Sequence, residues 1–120
     1  MYPSGVWRGF WQQKEFGRQP MEDFRLAFRD GIVTGSGTDV IGPFVFRGEY
    51  NTQTGRVSMM KQYLGRHRVL YDGHPDGEGC IGGTWSIPGV GDVYTGPFLL
   101  RPVIDGGAAA GDDEFTEIVK

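Results

Sequence analysis

The chain has 120 residues and a formal net charge of −3, from 12 basic and 15 acidic side chains. One domain of that length can bury a core without covalent staples. The acidic balance argues against nucleic acid as the main partner, because phosphate binding calls for a basic face. No apolar run approaches the roughly 20 residues of a membrane span, and "MYPSGVWRGFWQQ" lacks the basic-then-apolar order of a signal peptide.

Cys80 is the only cysteine, so no internal disulfide can form and a reducing, cytoplasmic setting is expected. The thiol reads as a small buried apolar group. Twenty-one glycines and seven prolines are spread through aromatic segments, a pattern of short strands separated by tight turns. The only helical rival, "MEDFRLAFRD", alternates better at period two.

Eight alternating segments follow in order: Val6–Gln13, Met21–Arg29, Ile32–Asp39, Phe44–Tyr50, Arg56–Leu64, His67–Tyr71, Cys80–Ile87 and Val93–Arg101. In the first, Trp7, Gly9 and Trp11 share a face, with Val6 and Phe10 on the other. Asp30-Gly31 between the second and third predicts a two-residue type I′ turn. That turn sets Phe28 against Val33, Leu26 against Gly35 and Phe24 against Gly37, and places Asp39 at the end of the inward row. Large side chains then lie across from glycines and fill their space. Phe44, Phe46, Gly48 and Tyr50 form the fourth inward row.

The fifth row is Val57, Met59, Lys61 and Tyr63, and the sixth is His67, Val69 and Tyr71. The link "LGRH" decides how they meet. A two-residue loop, Gly65-Arg66, would pair Tyr63 with Arg68. A three-residue loop, Gly65–His67, would pair Tyr63 with Val69 and Lys61 with Tyr71. The odd loop is preferred, because it joins the two more apolar rows on one face and leaves His67 at the rim. "DGHPDGEG" has the residues of a long hairpin turn, so its alternating Asp72, His74, Asp76 and Glu78 are not assigned to a metal. Ile81, Gly83, Trp85 and Ile87 form the seventh row; Tyr94, Gly96, Phe98 and Leu100 form the eighth.

Short connections throughout predict an all-β fold: a single eight-stranded antiparallel up-and-down β-barrel over residues 1–103, closed so that no strand edge is exposed. Residues 104–120 contain "DGGAAAGDDE" and read as a flexible acidic tail, with "FTEIVK" a candidate partner-binding strand.

The G-x-W of "SGVWRGFW", with "GGTWSI" and "YTGPFLL", resembles the calycins, the avidin- and lipocalin-type barrels. The likeness is one of pattern over about residues 4 to 102. It implies a barrel in which a late basic side chain, here Arg101, packs over the first-strand Trp7. It does not imply a ligand.

An eight-stranded barrel can be solid or can hold one small ligand. Inward Asp39 and Lys61 must either satisfy each other or bind something, since a buried charge is costly alone. The expected interior set is Asp39, Lys61, Tyr63 and Tyr71, walled by Trp7, Trp11, Phe46 and Trp85, with His67 and Arg101 at the rim. The function read from this is small-molecule binding in an aromatic pocket, without cofactor or metal. Two alternatives stand beside it: a solid module that works through its surface or as a homo-oligomer, and a cofactor-independent isomerase or hydrolase.

Overall fold

The computed structural model describes residues 2–89 and 94–104. Its strands are β1 (Gly5–Gln13), β2 (Gly17–Arg29), β3 (Ile32–Thr38), β4 (Pro43–Tyr50), β5 (Val57–Tyr63), β6 (Arg68–Pro75), β7 (Ile81–Ser86) and β8 (Thr95–Pro102). Each pairs antiparallel with the next, and β1 pairs with β8, which closes the barrel. The all-β, up-and-down expectation holds. The tail expected over 104–120 lies outside the described residues apart from Ile104, and so does Val93, the expected first residue of the last strand.

The turn after β2 shows how local sequence sets the register. Asp30 and Gly31 have φ of 51° and 80°, the left-handed values a type I′ turn needs. Arg29 then pairs Ile32, Phe28 pairs Val33 and Leu26 pairs Gly35, as the sequence predicts. Gly37 is obligatory by contact: a Cβ there would strike the Phe24 side chain.

Three sequence expectations need correction. β2 begins at Gly17, four residues before Met21, and Pro20 sits within it opposite Phe10. The register against β1 slips between Trp7 and Gly9, and Asp23 takes φ 54° there to absorb the extra residue. β6 continues through "DGHP", so Gly73 faces Gly83 and His74 faces Gly82; the turn proper is Asp76–Cys80. Asp76 organises it by accepting from the Glu78 and Cys80 N–H groups. Between β5 and β6 the loop is Leu64–Arg66, with Gly65 at φ 71°. Lys61 therefore pairs Val69 and Met59 pairs Tyr71. The predicted face is right and the predicted pairs are displaced by two residues.

The up-and-down course gives the barrel two distinct ends. Turns after β1, β3, β5 and β7 lie at one, called here the mouth. The far end gathers the turns after β2, β4 and β6, the segment before β1 and the end of β8. The far end is sealed by Tyr2, whose ring packs on Trp7 (6.2 Å) and Phe28 (5.2 Å). Its hydroxyl donates to the Gly55 carbonyl, and the Trp7 indole donates to the Pro3 carbonyl at 2.9 Å. The middle is filled by Phe24, Phe44, Phe46, Tyr71 and Phe98, with ring centroids 4.6 Å apart for Tyr71 and Phe98 and 5.3 Å for Phe46 and Tyr71. No helix of the described residues is long and apolar enough to cross a membrane.

Candidate functional site

Lys61 stands in the middle of β5, where alternation aims it inward with Val57, Met59 and Tyr63. Its side chain and that of Asp39 are both 0% exposed. The ammonium has three protons and three acceptors: Asp39 Oδ2 at 2.7 Å, Met21 Sδ at 3.1 Å and Tyr71 Oη at 3.3 Å. The Phe44 and Tyr63 rings lie 4.3 and 4.8 Å from Nζ and offer their negative faces.

Asp39 follows the end of β3 and heads a turn that Gly42 closes through paired backbone bonds. Its Oδ1 accepts from the Ile41 N–H at 3.0 Å. Its Oδ2 accepts from Lys61, from the Tyr63 hydroxyl at 2.7 Å and from the Trp11 indole at 3.1 Å. Four donors on one carboxylate are enough to hold its charge away from water. Burial alone would raise the Asp39 carboxyl, but the charge and hydrogen bond of Lys61, with Tyr63 and Ile41, outweigh it and hold it below the usual range. Burial pushes the Lys61 ammonium down to about 8 against the upward pull of Asp39. The pair is therefore ionised at neutral pH. Burial, then the bond to Asp39 and its charge, drive the Tyr63 hydroxyl well above its ordinary range; Tyr71 moves the same way through burial and the Asp39 charge.

Above this network the mouth holds a hollow of about 330 Å³. The upper parts of Trp11, Tyr63, Tyr71 and Trp85 form its floor and walls, with Val69 beside them. Phe16, Ile41, Ile87 and Tyr94 come from three of the four turns at the mouth. Gln13, Arg66 and His67 supply its polar groups. Trp85 is anchored across the barrel seam, its indole donating to the Gln12 carbonyl at 2.9 Å. That reach passes over Gly96, where a Cβ would collide with the same carbonyl oxygen.

Of the residues singled out from sequence, Trp11, Tyr63, Tyr71 and Trp85 meet at the hollow. Asp39 and Lys61 lie beneath it, tied to its walls but out of its reach. Phe46 belongs to the packed middle and Trp7 to the far-end seal, so neither lines it. His67 is exposed on the lip, its ring 5.1 Å from Tyr63. Arg101 is not at this rim: it is buried at the far end, opposite Arg8 and near enough to Cys80 to act on its thiol.

Sequence reasoning missed Met21 as the third acceptor of Lys61. It also missed Gln13, although that residue is the next member of the Trp7/Trp11 row and could have been read from it. Phe16, Ile41 and Tyr94 carried a weaker signal, a large apolar residue inside a turn. Among the described residues no three His, Cys, Asp or Glu side chains are grouped to hold a metal ion. Comparison of the chain with protein-family models, with curated proteins and with solved structures finds no match.

Proposed function

We propose that this barrel binds a small, largely apolar molecule that enters the mouth and packs against its aromatic walls. One observation carries the reading: a hollow of about 330 Å³ at the mouth of a barrel whose middle and far end are packed solid. That volume falls at the small end of the roughly 300–1,000 Å³ typical of small-molecule sites, which pair apolar walls with a few polar groups. Asp39 and Lys61 serve as struts: their hydrogen bonds fix Trp11 and Tyr63, so the walls are pre-formed. The G-x-W of β1 and the eight-strand closure support placing the barrel with the calycins. The single buried thiol suits a reducing compartment.

A second reading has its own observation. Phe16, Val40, Leu64 and Tyr94 are exposed, one in each turn at the mouth, and such a ring would serve a module that docks through this end.

Native mass spectrometry of protein purified from its source, before and after denaturation, separates the two. A small mass lost on denaturation, and absent from an Ile87→Trp variant that fills the hollow, supports binding. A clean apo mass with no thermal shift across a broad metabolite library counts against it.

A further inference from the structure

The polar groups of the hollow are neither random in kind nor spent on the protein. Gln13 is only 8% exposed and lines the hollow, yet its amide makes no hydrogen bond to another described side chain or backbone group. Neither of its polar atoms is sealed from the hollow, so the amide is open to bond whatever occupies it. An amide offers both a donor and an acceptor, the complement of a ring edge carrying N–H or C=O.

Among the described residues around the mouth, basic side chains outnumber acidic ones. Arg66 is on the lip, in the Leu64–Arg66 turn, and no described carboxylate pairs with it. Lys14, Arg18 and Arg68 stand in or beside the same turns, at the ends of β1, β2 and β6. Among the described residues the only exposed acid there is Glu15, because Asp39 is buried and neutralised by Lys61. Among the described residues, a chain of net charge −3 thus keeps a basic excess around one apolar opening, which favours anions by attraction at a distance and by hydrogen bonding at contact.

We propose that the ligand is a flat, ring-bearing anion: its rings pack on the wall formed by Trp11 and Trp85, whose indoles meet edge to face at 6.0 Å, Gln13 reads a polar ring edge, and Arg66 receives a carboxylate, sulfonate or phosphate at the lip. The assignment rests on the binding function proposed above and names its ligand class.

Two fluorescent probes that differ by one group test it. 1-Anilinonaphthalene-8-sulfonate carries an anion, and N-phenyl-1-naphthylamine is the same ring system without it. In the wild-type chain both bind, and Ile87→Trp abolishes both. Arg66→Gln weakens the sulfonate probe about tenfold, the loss expected when a charge-assisted hydrogen bond to a partly wet group is removed, and leaves the neutral probe within twofold. Arg66→Lys retains most of the sulfonate affinity. Gln13→Leu weakens both probes, which share a diarylamine N–H; unchanged binding of both would overturn the role given to Gln13. Sulfonate binding indifferent to Arg66→Gln, with the hollow still occupied by the neutral probe, overturns the anion assignment alone. Failure of both probes to bind the wild-type chain overturns the hollow as a site, and the assignment with it.

Discussion

Lys61→Met tests the central network most directly. Methionine keeps the length and apolar stem of lysine and deletes only the ammonium. Asp39 is then left with three donors, Tyr63, Trp11 and the Ile41 N–H, and no counter-charge. Removing one partner of a buried ion pair costs about 3–5 kcal/mol. The donors that persist put this case at the lower end, about 3 kcal/mol, which for a barrel of this size is a fall of roughly 12–24 °C in Tm. The sign with pH is a second check. In the wild-type protein Asp39 is held below its unfolded value of 3.8, so its contribution is present above that pH and lost as pH falls through the folded pKa. Without Lys61, burial raises the folded pKa instead, and acid protonates the stranded carboxyl. The deficit of the variant should therefore shrink between pH 7 and pH 4. The double change Lys61→Met, Asp39→Asn should recover most of the lost stability, because a neutral pairing leaves no bare charge. Urea unfolding followed by tryptophan fluorescence and far-UV circular dichroism measures all three. A single variant within 1 kcal/mol of wild type at pH 7 would refute the account of Lys61 as a buried, indispensable counter-charge.

The remaining predictions concern other parts of the barrel. Lys61 is depressed to about 8 from 10.5, so the unfolded chain holds more protons and stability rises with pH above about 8. Cys80 is pushed up to about 11 from 9.0, burial being the main cause and Asp76 the next, which removes stability as pH climbs past 9. The urea midpoint should thus rise from pH 8 to 9 and turn over before 10, and the Lys61→Met, Asp39→Asn protein should lack the rise. Gly96→Ala should lower stability by about 1–3 kcal/mol, the usual cost of overpacking, because its Cβ meets the Gln12 carbonyl and the Trp85 indole; thermal unfolding reads it, and an unchanged Tm would mean that β1 and β8 yield there. The Cys80 thiol, buried beneath the Asp76–Cys80 turn, should react with a thiol-specific disulfide reagent only as fast as the barrel unfolds; rapid stoichiometric labelling of the folded protein would contradict that burial.

Much of this fold can be read from residue order because alternation and turn chemistry are local. Asp30-Gly31 fixes its hairpin by demanding positive φ at two adjacent residues, and the register follows without further information. At the Leu64–Arg66 turn the apolar rows settle which face points inward. Nothing local separates one register from another two residues away, since both keep the same face. "DGHP" misleads for a different reason. Its composition suits a turn, but Gly83 lets β7 lie so close to β6 that a Cβ there would strike the Asp72 carbonyl, Gly73 leaves room for the Ile81 and Phe98 side chains, and the ladder carries on. The site divides in the same way. Alternation shows that Trp7 and Trp11 share a face but not that they serve opposite ends. That depends on Tyr2 folding back over Trp7, a contact with no periodic signature. The Asp39–Lys61 pairing was accessible because two inward charges must meet. Met21 was not, because a thioether leaves no mark as a hydrogen-bond acceptor until its neighbour is known.

An even number of antiparallel strands brings the segment before β1 and the segment after β8 out at the same pole, opposite the mouth. The molecule is thus polarised as an object to be tethered. A neighbour, a label or a solid support attached ahead of residue 2 or beyond residue 104 hangs from the sealed pole and leaves the opening facing outward. Capture on a sensor chip through the segment before β1 should therefore leave the opening turned away from the surface, whereas coupling through Lys14 would turn it toward the surface.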